Sequence, residues 1–209
     1  MSVLVFTENW DGNFKKLSFE LVSYAAKVAE MTGTTATALS IGQVSDDELK
    51  KLGNYGAKKI ISLKSDLLKN LDSQAYTAAI AEIAQNEGAK IIVLANNNMG
   101  KSIAPRLSVR LKAAIGSGTN KLPLSTDPFV VYRKVYSGNA FAHLKLNTEI
   151  KILTLMQNSF DPVETANEAS IENREVSIDG AMVKTQVKDC LLYTSPSPRD
   201  RTTPRMPSS

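Results

Sequence analysis

Two spacings of apolar residues alternate along the first half of the chain. Val3-Leu4-Val5-Phe6-Thr7 is a short apolar run of the kind a buried parallel strand shows. Leu17, Leu21, Tyr24, Ala25, Val28 and Met31 then recur at helical spacing, with Gly33 as the stop. Thr35 to Ile41 is β-rich and ends at Gly42. Ser45-Asp46-Asp47-Glu48 is an N-cap with an acidic first turn, and Leu49 and Leu52 make an amphipathic helix that ends near Gly53.

The alternation repeats. Lys59 to Leu63 is a strand. Ala75, Ala78, Ala79, Ile83 and Ala84 lie on a helix that stops at Gly88. Lys90 to Ala95 is the clearest buried strand. Asn96 to Gly100 is expected as a loop, with a helix from about Ser102 to Ala113. Strand and helix in turn, with short connections, predict a parallel sheet covered on both faces.

The second half differs. Phe129 to Tyr136, Ala140 to Leu146 and Glu149 to Leu155 are three strand-like runs. Ser137-Gly138-Asn139 is a tight turn between the first two. They are expected as antiparallel additions at one edge. The fold class is therefore α/β, a three-layer, Rossmann-like, mainly parallel sheet with antiparallel strands at one edge. Residues 1–160 are expected as that domain, and 161–189 as a linker or the start of a further domain. Glu172 to Val176 is either one more strand or part of the linker.

From Cys190 the composition turns to Ser and Pro without period. Reverse translation of Cys190–Asp200 resembles a transposase mosaic end joined to a sequencing-library adapter. Arg205–Ser209 resembles the next adapter arm at the right spacing, with Pro204 where that arm encodes Ser. Residues 190–209 are thus expected to be a disordered, adapter-derived tail. The natural protein is expected to continue past about Lys188, and Cys190, the single cysteine, carries no redox argument.

Of the 209 residues 43% are hydrophobic and 22% charged, which fits a soluble globular protein with a sizeable core. The net charge of +4 is spread without a dense basic stripe, so nucleic-acid binding gains no support. No apolar run is long enough to span a bilayer, and the start carries no signal or transit pattern. A bacterial cytoplasmic protein is expected.

The chemistry is sparse. Gly100-Lys101-Ser102 ends like a phosphate loop, but Ala95 stands where the first glycine belongs. The loop Glu8 to Asn13 holds one glycine and no dinucleotide fingerprint; Trp10 in it is expected to pack or to touch a partner. His143 is the single histidine, so a metal site lacks ligands and the residue is expected to be structural. No nucleophile elbow occurs. The acidic residues are expected mostly on solvated faces, and no catalytic set is expected. Pro105 is placed in an early helical position, with Gly100 permitting the turn before it. Arg106 would follow in the first or second turn, against the helix dipole.

Three segments carry a resemblance. Gly100-Lys101-Ser-Ile-Ala-Pro105-Arg106-Leu-Ser-Val-Arg-Leu111 is similar to a family pattern of Gly, a polar residue and Ala/Leu-Pro-Arg-Leu-Ala-x-x-Leu. Tyr136-Ser-Gly138-Asn139-Ala140 is similar to a Tyr-Ala/Gly-Gly-Asn-Ala turn. Ile152 to Asp161 is similar to a strand ending in a Phe-containing loop. Together, over roughly residues 1–180, they resemble the amino-terminal domain of electron transfer flavoprotein α subunits. One departure is Gly116-Ser-Gly-Thr-Asn120, where the family often carries Ser-Asp.

The resemblance implies a heterodimer with a β subunit, in which this domain is scaffold and interface. It implies FAD in the second α domain, outside this fragment, and AMP, where present, in the β subunit. The complex would take electrons from dehydrogenases, including acyl-CoA dehydrogenases, and pass them to a quinone oxidoreductase or another acceptor. Gly100, Lys101, Arg106, Gly138 and Asn139 are the candidate interface residues; cofactor-binding residues are expected to be absent here. The competing readings are a stand-alone adenine-nucleotide-binding module of the universal-stress type, which would want a glycine-rich phosphate loop, and a small hydrolase.

Overall fold

The computed structural model describes residues 2–165, 167–176 and 180–185. The strands are β1 (Ser2–Thr7), β2 (Asn9–Trp10), β3 (Asn13–Phe14), β4 (Thr35–Ile41), β5 (Lys59–Leu63), β6 (Ala89–Ala95), β7 (Ala114–Thr119), β8 (Ser125–Thr126), β9 (Phe129–Val135), β10 (Ala140–Lys145), β11 (Lys151–Leu155) and β12 (Ser170–Arg174). The helices are α1 (Lys16–Met31), α2 (Asp46–Gly53), α3 (Ser73–Asn86) and α4 (Asn98–Leu111).

The main sheet runs β10-β9-β7-β11-β6-β1-β4-β5-β12. From β7 to β12 all pairings are parallel; β9, β10 and the short β8 add antiparallel at the β7 side. Alternate residues of the central strands feed two cores. Val3, Val5 and Val93 join Leu21, Val28, Leu49 and Leu52 from α1 and α2. Leu4, Phe6, Ile92 and Leu94 join Ile80, Ile83, Ile103 and Leu107 from α3 and α4. Full burial of each such side chain contributes about 1.5–3 kcal/mol, so the apolar runs of β1 and β6 hold the three layers together.

Several expectations are revised. The run ending at Leu155 does not add to the antiparallel edge: β11 inserts between β6 and β7 and is parallel to both. Gly116 to Asn120, not expected as a strand, contains most of β7. A Cβ on Gly116 would stand 3.0 Å from Val131 Cγ2 and 3.1 Å from a Leu153 methyl, so close packing demands the glycine that hides the strand. Between the two open alternatives for Glu172 to Val176, a strand is observed over Ser170–Arg174, parallel to β5 at the far edge.

α4 starts at Asn98, earlier than expected, because Asn97 is its cap: the Asn97 Oδ1 accepts from the Gly100 amide at 2.9 Å. Pro105 therefore lies inside the helix and Arg106 in its third turn, which removes the dipole argument for Arg106. Most described acidic residues are exposed or half-buried, as expected; Glu20, Glu48 and Asp72 are the buried exceptions, at 1%, 8% and 4% exposed. The Ser/Pro-rich residues 190–209 and the expectations placed on them lie outside the described residues. Among the described residues no helix is long and apolar enough to cross a membrane.

Candidate functional site

A cleft of about 520 Å³ opens at the carboxyl ends of β6, β7 and β11. Open α/β sheets bind ligands on that side. Asn96 enters it from β6, Gly118 and Asn120 from β7, Met156 from β11, Arg133 from β9 and Lys101 from α4. Its floor is knitted by Thr154. The Thr154 hydroxyl accepts from the Gly118 amide at 2.9 Å and donates to Asn96 Oδ1 at 3.0 Å. The Asn96 amide donates to the Leu155 carbonyl and the Met156 amide to the Thr119 carbonyl, at 2.8 and 2.9 Å.

Beside the cleft, the crevice between β1 and β6 is closed. Asn97 Nδ2 donates to Glu8 Oε2 at 2.6 Å, and Ser18 Oγ donates to the Glu8 carbonyl at the same distance. Burial pushes the Glu8 carboxyl above its ordinary range, more than the Asn97 bond pulls it down.

The β9–β10 hairpin carries an aromatic strip on its open face. Tyr132 stacks on Phe141 with ring centres 5.0 Å apart and meets His143 at 5.6 Å. Lys121 Nζ lies 4.9 Å over the Tyr132 ring. Phe141 is 58% exposed, and Tyr136 at the hairpin tip 81%. The expected turn is present, and left-handed backbone runs through Tyr136, Ser137 and Gly138.

The five candidate interface residues fall in separate places. Gly100 is buried in the first turn of α4, where an added Cβ would sit 1.8 Å from the Ala95 carbonyl oxygen; close approach to backbone, not a turn, requires it. Lys101 is exposed on the cleft. Arg106 is exposed in another groove, between α3 and α4, with Gln74, Thr77, Val109, Arg110 and Met182. Five residues apart on a helix, the two cations point about 140° apart. Gly138 and Asn139 are exposed at the hairpin tip with Tyr136. His143 stands exposed on β10, and Trp10 is 67% exposed with Lys15 Nζ 4.9 Å over its ring, so the tryptophan is no core residue.

Sequence reasoning missed Glu8, Asn97, Asn120 and Arg133. Polar residues just after apolar strands were the available signal, since chain there must lie at the carboxyl edge.

A flavin dinucleotide does not fit the β1–β6 crevice. The Glu8–Asn97 pair fills the β1–β6 crevice, its carboxylate would face a pyrophosphate, and no glycine-rich turn brings backbone amides to phosphate.

A model of the electron transfer flavoprotein domain matches residues 3–179. The electron transfer flavoprotein subunit alpha of Clostridium acetobutylicum is 24% identical over 192 residues, covering 88% of this chain and 57% of that protein. Its counterpart in Bacillus subtilis is 25% identical over 178 residues, 84% of this chain and 54% of that protein. The acryloyl-CoA reductase electron transfer subunit beta of Anaerotignum propionicum is 27% identical over 128 residues, 61% and 35%. The chain thus spans somewhat over half the length of these two α subunits. These matches agree with the resemblance to an α-subunit amino-terminal domain carried by the Gly100, Tyr136 and Ile152 segments. With most of its length matched by the family's model, the chain belongs to the electron transfer flavoprotein family.

Proposed function

We propose that this electron transfer flavoprotein subunit is part of an α subunit and supplies scaffold and β-subunit interface to a heterodimeric FAD carrier in the bacterial cytoplasm. The carrier takes electrons from dehydrogenases, acyl-CoA dehydrogenases among them, and passes them to a quinone oxidoreductase or another acceptor. FAD is held by a further α domain, and AMP, where present, by the β subunit. The flavin supplies the redox chemistry when bound; this chain's residues orient and assemble.

The observation that carries the interface is the contrast between the two sheet edges. β12 is guarded by charge: Lys59 pairs with Glu87 and Glu172 at 2.9 and 2.8 Å, and Arg174 with Glu87 at 2.7 Å. β10 leaves its outer edge unpaired among the described residues and presents Phe141 and His143 beside Tyr132. An open edge strand with exposed aromatics is a template for association, and proteins that stay monomeric blunt such edges. Similarity to a subunit named for acryloyl-CoA reductase electron transfer supports a redox partner that acts on an acyl-CoA, on the accepting side by that name.

The test is co-purification of the α subunit with its β subunit. Phe141→Glu should abolish the pair while leaving the fold intact by circular dichroism. Normal pairing by that variant would refute the assignment of the edge. The universal-stress reading is disfavoured by the Glu8 carboxylate, which stands in the crevice such a nucleotide would need.

A further inference from the structure

The cleft at the ends of β6, β7 and β11 has features that scaffold duty does not use. Lys101, Arg133 and Lys134 line it, and no carboxylate does among the described residues. Glu20 does not line it but stands behind its wall: its Oε2 accepts from the amide of the lining residue Asn158 at 2.9 Å, and Lys16 Nζ stands 3.6 Å from Oε1. Like charges gathered without a counter-charge raise each other's cost, so such a set is expected to serve an anion.

Two buried atoms of the lining lack partners. Arg133 Nε has no acceptor and Asn120 Oδ1 has no donor among the described residues. Buried polar atoms are nearly always hydrogen-bonded, and each exception needs a cause. Both residues line the cleft, so a small turn of each side chain would offer Arg133 Nε to an anionic group and Asn120 Oδ1 to a hydroxyl of one ligand. The floor is already fixed by Thr154, so little ordering remains to be done on binding.

We propose that this cleft binds the phosphate monoester of a small hydroxylated molecule. Arg133 and Lys101 take the phosphate, Lys134 adds charge at the rim, and Asn120 accepts from a hydroxyl. A planar guanidinium fork suits phosphate oxygens. The volume of about 520 Å³ exceeds what a bare phosphate fills and lies in the range of small-molecule sites.

The test is a chemical-shift titration of the ¹⁵N-labelled 209-residue chain with ribose 5-phosphate, inorganic phosphate and ribose. Ribose 5-phosphate should saturate, with changes centred on Gly118, Asn120 and the Arg133 Nε–H. Inorganic phosphate should shift the same signals with about tenfold weaker affinity, and ribose should shift none. Arg133→Gln should weaken both anions about tenfold or more, and Asn120→Ala should bring the sugar phosphate down to the level of phosphate. Each variant must keep the parent's thermal midpoint; Lys134→Gln is the substitute if Arg133→Gln does not fold.

Absence of shifts up to about 20 mM, well beyond the ~1 mM expected of a few charge-assisted bonds, would overturn the proposal. So would shifts centred on Arg106 and Arg110 or spread over all cations. Tighter binding of a polyglutamate peptide at the cleft would also overturn it, in favour of an acidic partner segment.

Discussion

The Asn97 side-chain amide donates to Glu8 Oε2 at 2.6 Å, and its carbonyl oxygen accepts from the Gly100 amide at 2.9 Å. One asparagine thus caps α4 and ties it to the end of β1. The carboxylate it holds is half-buried, and Glu8 Oε1 has no partner among the described residues.

The first prediction follows from that burial. Glu8 is raised above its ordinary value of 4.5, chiefly by loss of water. A raised acid favours folding in its neutral form, so its contribution is complete below 4.5 and is lost as pH rises through the raised value. Glu8→Gln keeps an acceptor for Asn97 and cannot ionise. Its thermal midpoint should exceed the parent's near pH 8, and the gap should close near pH 4. A gap that stays constant with pH would contradict the burial argument.

Asp72 is the opposite case. Burial pushes its carboxyl up, but bonds from the Lys184, Ala75 and Gln74 amides, with help from Thr185, outweigh this and hold it down at about 2. A depressed acid stabilises above its unfolded value of 3.8, and that contribution is lost as pH falls toward 2. Oδ1 caps α3, while Oδ2 accepts from the amides of Lys184 and Thr185 at 2.9 and 3.1 Å. Asp72→Asn keeps a cap but cannot accept on both sides. It should cost about 1–2 kcal/mol and speed hydrogen exchange at Lys184 and Thr185. Unchanged exchange there would show that the contact does not hold that segment.

Gly100 and Gly138 separate two uses of glycine. Gly100→Ala drives a Cβ against the Ala95 carbonyl, with backbone on both sides, and should cost about 3 kcal/mol. Gly138→Ala meets open space at φ +96 and should cost only about 1–2 kcal/mol of backbone strain. Urea unfolding of both variants checks the order; equal costs would contradict the packing at Gly100.

Arg106 makes none of the ion pairs found among the described residues, and Arg110 lies one turn on. Arg106→Ala should change stability by less than about 0.5 kcal/mol. In a full-length α subunit, weaker pairing with the β subunit or weaker flavin retention is the expected interface effect. Normal pairing and flavin content together with lost stability would make the arginine structural.

Much of the fold was legible. β4 and β5 coincide with the β-rich runs Thr35 to Ile41 and Lys59 to Leu63, and Ser45 caps α2 with its side chain accepting from the Glu48 amide. These elements bury one continuous apolar set, so local pattern and tertiary need agree. β7 escaped because Gly116 and Gly118 answer to packing against Val131 and Leu153 and to a left-handed turn, which no local period reveals. The start of α4 escaped because asparagines read as loop until Asn97 is seen as a cap. At the cleft, Lys101 was named from the motif alone. Arg133 on β9 and Asn120 just past the end of β7 meet Asn96 and Met156 only through the order β9-β7-β11-β6.

Sedimentation of this 209-residue chain mixed with a purified β subunit, with a visible spectrum of the sedimenting species, asks most directly whether it is an assembling scaffold. A 1:1 complex is expected, with no flavin retained by this chain when it is incubated with FAD alone and desalted. A chain that sediments as a monomer beside the β subunit, or that keeps stoichiometric flavin on its own, would contradict its assignment as scaffold and interface.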